Sequence, residues 1–226
     1  MDLEVLVIGF GSIHETLIRD LTEVNLQASA VTHVPAVDAR NDPRWLTCAE
    51  KGRIGLGASG CLLAHRDAWA TWLNLPHRGD VGLVLEDDAR ITEFGKKWMN
   101  QCTRDFSEKN MELLQLGTVS QSDVRHAFTT KSISNVLTAI NGSVEESRLM
   151  AKMGPSYSSS CGWGTHAYLI SASCAEMFLE WDFGFLMPID CWFRALSSVP
   201  HRNFARTRQA LWSPNGRAST IDHIGR

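Results

Sequence analysis

The most informative run in the sequence is Val81-Gly82-Leu83-Val84-Leu85-Glu86-Asp87-Asp88, in which unbroken apolar residues give way to three carboxylates. Strands covered on both faces of a parallel sheet have continuous apolar runs of this kind. We therefore predict a buried strand over residues 80–85. Open α/β sheets bind their ligands beyond the carboxyl ends of the strands, and residues 86–88 stand at that position.

Apolar and amphipathic runs alternate on both sides of this strand. We predict further strands at 3–8, 28–37, 111–116 and 164–170, and helices at 61–73, 93–106 and 172–181. Ser12 and Glu15 have the spacing of a capping box for another helix, which would run to about Leu21. Residues 40–60 are glycine-rich late on and lack periodicity, which indicates a loop. The alternation predicts an α/β fold with a mostly parallel central sheet.

Composition narrows the class of protein. With 226 residues, 44% hydrophobic and 21% charged, the chain is typical of one globular domain spanning 1–226, and disordered and coiled-coil classes are excluded. It has no apolar run as long as a membrane span. The start, Met1-Asp2-Leu3-Glu4, lacks the basic residues of a secretory signal, so the expected location is the cytoplasm.

The cysteines argue against a zinc ribbon or a thioredoxin-like motif. None of the six lies in a Cys-x-x-Cys pair, which both of those motifs require. Without other signs of an oxidising compartment, we expect reduced and mostly buried thiols.

Two segments stand apart from the rest by composition. Residues 118–160 are rich in Ser and Thr and indicate a variable loop or insertion, with a short helix near 144–153. Residues 191–226 carry six arginines and a single acid, Asp222. This basic C-terminal segment is either a solvated surface or an arm that meets phosphate on a small ligand or on a larger anionic acceptor.

The three carboxylates suggest a cation. Adjacent carboxylates repel one another, and a bound cation relieves that repulsion. In an extended segment Glu86 and Asp88 project to the same side, whereas Asp87 points away. Two oxygen ligands on one side suit Mn²⁺ or Mg²⁺, with water and substrate phosphate completing the coordination. The alternative is an acidic turn that caps the following helix.

Several motifs carry a resemblance to a known family. They are Gly60-Cys61-Leu62-Leu63-Ala64-His65-Arg66-x-x-Trp69, Leu85-Glu86-Asp87-Asp88, Leu113-Leu114-Gln115-Leu116-Gly117 and Gly164-Thr165-His166-Ala167-Tyr168-Leu169-Ile170-Ser171, flanked by 35–40 and 188–190. In this order, over roughly residues 35 to 190, they resemble glycosyltransferase family 25, which holds lipooligosaccharide and collagen galactosyltransferases. Two features depart from the family pattern. Ala64 stands where the family has serine, and the first strand ends in Gly9-Phe10-Gly11 without the usual basic cluster.

The resemblance implies a glycosyltransferase A-type fold, one Rossmann-like domain that uses a nucleotide sugar and a divalent metal ion. Glu86 and Asp88 would hold Mn²⁺ or Mg²⁺, and Asp87 would contribute to the cofactor site. The default donor is UDP-galactose, and the expected acceptor is a lipooligosaccharide-type glycan, which the basic C-terminal segment could approach at an anionic membrane surface. A divalent ion stabilises the charge that develops on the leaving diphosphate.

The resemblance also implies roles for residues outside the acidic turn. His65 and Arg66 would lie near the diphosphate, His166 would be a further metal or phosphate ligand, and Asp38 and Arg40 would lie near the nucleoside. Each role has a competing structural account. His65 is otherwise a buried helix histidine, His166 a histidine bonded inside the sheet, and Asp38 with Arg40 a loop ion pair.

Asp190, in Pro188-Ile189-Asp190, is the expected catalytic base. Family 25 enzymes are generally inverting, and a single displacement needs a carboxylate to deprotonate the acceptor hydroxyl. The alternative is a helix N-cap ahead of Cys191. Trp163 and Trp192 are predicted either to stack on sugars or to pack in the core.

Other functions remain open from the sequence. Gly9-Phe10-Gly11 after a strand begins like a dinucleotide-binding motif, but His14 replaces its third glycine. The basic segment interleaves arginines with Phe193, Phe204 and Trp212, which would suit an enzyme that glycosylates a hydroxylated nucleobase in DNA. A sugar-binding module without catalysis is the third alternative.

Overall fold

A central sheet of seven strands forms the core of the protein. The computed structural model describes residues 3–26, 31–44, 55–117, 155–181 and 188–214. The sheet has the order β2-β1-β3-β7-β5-β8-β6. Its strands are β1 (Leu3–Gly9), β2 (Val31–Pro35), β3 (Val81–Glu86), β5 (Leu113–Gln115), β6 (Tyr157–Ser158), β7 (Ala167–Ser171) and β8 (Phe204–Thr207). A small second sheet pairs β4 (Ala89–Ile91) with β9 (Trp212–Pro214).

Within the described ranges, five helices cover the two faces of the central sheet. They are α1 (Glu15–Glu23), α2 (Leu56–Leu73), α3 (Glu93–Glu108), α4 (Ala172–Glu180) and α5 (Ile189–Ser197). Residues of α1 and α3 pack in one apolar core, and residues of α2, α4 and α5 pack in the other. Within β3, Leu83 and Leu85 enter the first core and Val84 enters the second. This two-sided burial accounts for the continuous apolar run of β3.

The sheet is mixed rather than uniformly parallel. β1 pairs in parallel with β2 and β3, and β5 pairs in parallel with β8. β7 lies between β3 and β5 and is antiparallel to both. As a result, β1, β2 and β3 end at the edge of the sheet where β7 begins, and this edge gathers residues that are far apart in the chain.

The structure corrects two predicted boundaries. α2 begins at Leu56, inside the stretch predicted to be a loop. Gly60 is helical, and a Cβ there would overlap the Val37 carbonyl oxygen, so this glycine serves close packing rather than a turn. The N-cap of α1 is His14 rather than Ser12, because Nδ1 of His14 accepts from the Thr16 amide at 3.2 Å.

The described part of the basic C-terminal segment belongs to the fold. Residues 191–214 contribute most of α5, together with β8 and β9, and β8 lies between β5 and β6 in the sheet. β6 falls at the end of the predicted 118–160 loop. The predicted helix near 144–153, and Arg217, Asp222 and Arg226, lie outside the described residues. No described helix is both long enough and apolar enough to cross a bilayer.

Candidate active site

A cavity opens at the edge of the sheet where β1, β2 and β3 end. It encloses about 30 Å³, which is room for a cation and one or two waters. Phe10 after β1, the first half of α2 and the turn 86–88 after β3 line it. This is the edge at which open α/β sheets bind their ligands.

Glu86 is a largely buried carboxylate with two partners. The Thr165 hydroxyl donates to its Oε1 at 2.6 Å, and Nε2 of His65 lies 3.4 Å from the same oxygen. Burial opposes ionisation, but these contacts and the nearby His166 hold the pKa of Glu86 below its usual range. Glu86 is therefore an anion fixed against α2.

His65 is part of a buried chain of hydrogen bonds. The Trp69 indole donates to the Tyr168 hydroxyl oxygen at 3.0 Å, and that oxygen lies 2.8 Å from Nδ1 of His65. The Tyr168 hydroxyl therefore joins the Trp69 indole to Nδ1 of His65, while Nε2 of His65 lies on the side of Glu86. His65 is therefore a buried helix histidine and also a wall of the cavity.

Asp87 is held at the end of β1. Its amide donates to the Ile8 carbonyl at 2.8 Å, and a Cβ added to Gly9 would lie 2.8 Å from the Asp87 side chain. Burial and the charge of Glu86 raise the pKa of Asp87, partly offset by the amide of Phe10, which donates to its carboxylate. Asp87 lines the cavity together with Glu86 and Asp88, instead of pointing away from them.

Asp88 is the carboxylate of the turn that lacks a hydrogen-bond donor for one of its oxygens among the described residues. Its Oδ1 is buried and has no hydrogen-bond partner among the described residues. Burial, followed by the charges of Glu86 and Asp87, raises the pKa of Asp88 to about 6. A buried anionic oxygen without a donor is costly, and a cation beside it would remove that cost. The three carboxylates therefore fit a hard divalent ion.

We expect Asp88→Asn to stabilise the metal-free protein at pH 8. Because the folded-state pKa of Asp88 lies above its unfolded value, this residue favours folding at pH 4 and loses that contribution as the pH rises through 6. After allowance for solvent screening, the gain in the variant is about 1–2 kcal/mol at pH 8 and close to zero at pH 4. Urea unfolding with a chelator present measures both values.

Asp80→Asn is the matched control, since it removes an exposed carboxylate at the other end of β3. An Asp88→Asn protein that is less stable than the wild type at pH 8 would show that the ionised Asp88 side chain does not destabilise the folded state.

Asp38 and Arg40 form a bidentate ion pair in the loop after β2. Nε and Nη2 of Arg40 donate to the Asp38 carboxylate at 2.9 Å and 2.7 Å. These bonds lower the pKa of Asp38. The loop lies beside the cavity, because Val37 lines it, but Asp38 and Arg40 do not. The loop ion pair is therefore present, and a nucleoside contact by these residues stays a prediction.

Arg66 lies away from the cavity. Its guanidinium donates to the carbonyls of Phe178, Leu179 and Trp181 at 2.8–3.2 Å, and so caps the carboxyl end of α4. Helix α2 presents Arg66 to α4 rather than to the acidic turn, so these contacts do not support the predicted role at the diphosphate, which stays a prediction.

His166 also differs from its predicted position. Its Nε2 lies 3.3 Å from the Trp212 carbonyl oxygen. The ring packs against Gly117 so closely that a Cβ there would overlap it. His166 is not among the residues that line the first cavity. Burial lowers the pKa of His166 and favours the neutral ring. The histidine bonded inside the fold is the account that the structure favours.

Asp190 lies in the first turn of α5, after the N-cap Pro188. Its Oδ1 accepts from the amide of Cys191 at 2.8 Å, and its Oδ2 accepts from the amide of Gly164 at 3.3 Å. It is also close enough to Cys61, in the cavity wall, for its charge to raise the pKa of that thiol, after the larger effects of burial and Glu86. Asp190 is thus near the cavity, and it is not the N-cap of the helix.

A second, larger cavity of about 610 Å³ is lined in part by Cys191, the residue after Asp190. Trp163, Cys191, Arg194 and Arg206 line it, and the Arg194 guanidinium lies 4.1 Å from the centre of the Trp163 ring. Trp192 is instead buried against Phe178, so core packing is its role. Of the two tryptophans considered for sugar stacking, Trp163 alone lines this cavity.

The sequence profile of glycosyltransferase family 25 (LPS biosynthesis protein) matches residues 32–193. The match covers well over half of the chain and runs from β2 into α5, so it includes the acidic turn and Asp190. The chain belongs to glycosyltransferase family 25. A comparison with curated proteins finds no match.

Membership of family 25 confirms the resemblance carried by the motifs and makes the protein a glycosyltransferase. It implies a nucleotide-sugar donor and a glycan acceptor.

Three residues of the site were not predicted from the sequence. Thr165 and Tyr168 hold Glu86 and His65, and Phe10 is 47% exposed at the edge of the first cavity. Thr165 and Tyr168 belong to the Gly-Thr-x-x-Tyr motif, so the motif was visible but its contacts were not. The signal for Phe10 is a large apolar residue inside a polar turn after a strand.

Proposed function

We propose that this protein is a metal-dependent, inverting glycosyltransferase with an A-type fold, which moves a hexose, by default galactose, from a UDP-sugar to a hydroxyl of a lipooligosaccharide-type glycan. The observation that carries the proposal is the buried Oδ1 of Asp88, which has no hydrogen-bond partner in the described part of the chain and shares a cavity with two other carboxylates at the strand end. The parallel β2-β1-β3 unit beside this cavity supports the fold assignment.

Asp88 and Glu86 are the residues that would hold Mn²⁺ or Mg²⁺. When bound, the ion neutralises charge on the departing diphosphate. Asp88 offers an Oδ1 that meets no donor from residues the structure describes, whereas Oε1 of Glu86 is oriented by Thr165 and His65. Asp87, anchored between Gly9 and the Phe10 amide, fixes the turn that carries both neighbours.

Asp190 is the proposed base. Its charge reaches Cys61 in the wall of the first cavity, and the next residue, Cys191, lines the second. This position suits a group that takes the proton of an acceptor hydroxyl as the oxygen attacks the sugar. The amides of Gly164 and Cys191 orient the carboxylate without neutralising it. The larger cavity, with the Trp163 ring and two arginines, is the proposed acceptor site. Tryptophan faces suit sugar rings, and arginines suit anionic glycan substituents.

A DNA acceptor receives less support from the described residues. Phe193, Phe204 and Trp212, the aromatic residues considered for base stacking, are buried in the two cores. Arg202 pairs with Glu112 at 2.6 Å, and Arg194 covers Trp163. Nucleic-acid backbones are bound in extended basic grooves, whereas the larger cavity is concave and has two arginines. This shape suits a charged glycan better than a nucleic acid.

The proposal is tested by assaying hydrolysis and transfer across a panel of nucleotide sugars, with Mn²⁺, Mg²⁺ or a chelator. We expect turnover of a UDP-hexose that is lost with the chelator and restored by Mn²⁺. Asp88→Asn should remove the dependence together with the activity, and Asp80→Asn should retain both. Turnover that is unaffected by the chelator would overturn the metal-dependent mechanism.

We expect Phe10→Ala to raise the KM for the UDP-sugar about fivefold with little change in kcat. Phe10 lies at the edge of the first cavity, where its ring offers a stacking surface for the uracil base. Because the ring is half-exposed, we expect its contribution to the binding free energy to lie near the lower end of the range for stacking contacts. Val199→Ala is the control, because Val199 is 45% exposed and lies after α5, outside both cavity walls. An unchanged KM in Phe10→Ala would exclude stacking.

A further inference from the structure

Three side chains of different chemistry converge in the wall of the first cavity. One ligand atom from each of Cys61, His65 and Glu86 lies within 4.8 Å of the other two. Cysteine, histidine and glutamate are the side chains that bind zinc, and they provide a softer ligand set than the carboxylates of the acidic turn.

The backbone places these three groups together without strain. Cys61 and His65 are four residues apart in α2 and therefore lie on the same face of the helix. Glu86 ends β3 directly beside that face, with its Oε1 3.4 Å from Nε2 of His65. In a tetrahedral zinc site, neighbouring N, O and S ligands lie about 3.5 Å apart. The cluster reaches that geometry if the ligand atoms move together by about 1 Å.

The residues around the cluster resemble the outer shell of a metal site. Nδ1 of His65 is bonded to the Tyr168 hydroxyl, which leaves Nε2 for the cluster. The Thr165 hydroxyl donates to Oε1 of Glu86 and lies 3.7 Å from Sγ of Cys61. Metal-bound histidines and carboxylates are commonly oriented by such second partners. The cavity supplies space for a fourth ligand, such as a water.

We propose that Cys61, His65 and Glu86 form a second metal site, selective for a zinc-like ion, distinct from the hard-ion position at Asp88. Thiolate and imidazole favour Zn²⁺ or Co²⁺, whereas Mn²⁺ and Mg²⁺ favour oxygen ligands. When the ion binds, the thiol loses its proton to the solvent, and the neutral imidazole binds through Nε2 with its proton on Nδ1, beside the Tyr168 hydroxyl.

Sharing of Glu86 gives the second site a regulatory consequence. An ion held by Cys61 and His65 would draw Glu86 toward α2 and away from the ion beside Asp88. Zn²⁺ should therefore inhibit a transferase activated by Mn²⁺. This consequence rests on the proposed function, whereas the site itself does not.

The site is tested with Co²⁺, because a cobalt–thiolate bond absorbs in the near ultraviolet and a tetrahedral cobalt centre gives intense visible bands. We expect one equivalent of Co²⁺ to produce both signals in the full chain, and one equivalent of Zn²⁺ to remove them. Cys61→Ser should lose the thiolate band and bind Co²⁺ at least about tenfold more weakly. Cys191→Ser, which alters another partly exposed cysteine, should keep the band.

Asp88→Asn separates the two proposals. We expect it to keep the cobalt–thiolate band while losing the Mn²⁺-dependent activity, so that either proposal can fail alone. A wild-type protein without the band, or a Cys61→Ser protein that retains it, would overturn the second site.

Alkylation of Cys61 provides a measurement that needs no variant. Bound Zn²⁺ should slow the reaction of Cys61 with iodoacetamide at least about tenfold, as measured by peptide mass spectrometry, while Cys191 reacts at an unchanged rate. Equal protection of both cysteines, or of neither, would contradict the site.

Discussion

Asp190→Asn is expected to lower the rate of glycosyl transfer by about 10²- to 10⁴-fold, with donor binding unchanged. The carboxamide has nearly the same shape, and its single oxygen can still accept from the Cys191 amide, the shorter of the two contacts, while the longer contact with the Gly164 amide is lost. It cannot take a proton from the acceptor hydroxyl, so the loss should fall on kcat. Single-turnover transfer with a saturating UDP-sugar measures the chemical step directly.

A purely structural role of Asp190 would give a different result. If its function were to hold the start of α5, Asp190→Asn would retain most of the transfer, because the asparagine oxygen keeps the shorter contact with the Cys191 amide. Asp190→Ala would then be the damaging change, and thermal unfolding would report it. A variant Asp190→Asn that transfers sugar at the wild-type rate would remove Asp190 from the mechanism. Asp80→Asn is the control for loss of an exposed carboxylate.

The main strand and the acidic turn were predictable because their signal is local. A strand buried on both faces needs a continuous apolar run, and Val81–Leu85 provides one that stops at Glu86. The predicted helices at 93–106 and 172–181 likewise agree with α3 and α4 to within two residues. In each of these segments, local residue preference and tertiary packing favour the same structure.

The remaining features depend on neighbours that are distant in the chain. The glycines before Cys61 suggested a loop, yet Gly60 is helical because the Val37 carbonyl lies against it. An apolar strand at 167–171 does not reveal its direction, so the antiparallel insertion of β7 was not predicted. Arg66 lies beside a histidine of the cavity in sequence, but the helix turns it toward α4.

The site shows the same division between local and distant information. Three adjacent carboxylates were visible in the sequence, but their unequal environments were not. Glu86 receives bonds from residues 21 and 79 positions away, whereas Oδ1 of Asp88 receives none from the described residues. This difference makes Asp88 the stronger candidate ligand for a hard cation. It also leaves Glu86 positioned to serve either the acidic turn or α2.

Gly60→Ala is expected to destabilise the protein by about 3 kcal/mol, against the usual effect of this change in a helix. Alanine normally gains about 1 kcal/mol over glycine in a helix interior. Here the added methyl would overlap the Val37 carbonyl oxygen. The other atoms near it, in Val37 and Ala39, also belong to the backbone and cannot rotate away. Steric overlap therefore exceeds the helix preference. The unfolding temperature should fall by about 2–4 °C for each kcal/mol lost.

Gly11→Ala is the matched control, because a Cβ at Gly11 meets nothing within 4 Å. We expect it to change the free energy of unfolding by less than about 0.5 kcal/mol. Separation of α2 from the loop after β2 would also shift Cys61 and His65 away from Glu86, so Gly60→Ala should weaken Co²⁺ binding even below its unfolding temperature. A Gly60→Ala protein as stable as the wild type would show that the helix and the loop are not in close contact, and the cavity wall built on that contact would have to be revised.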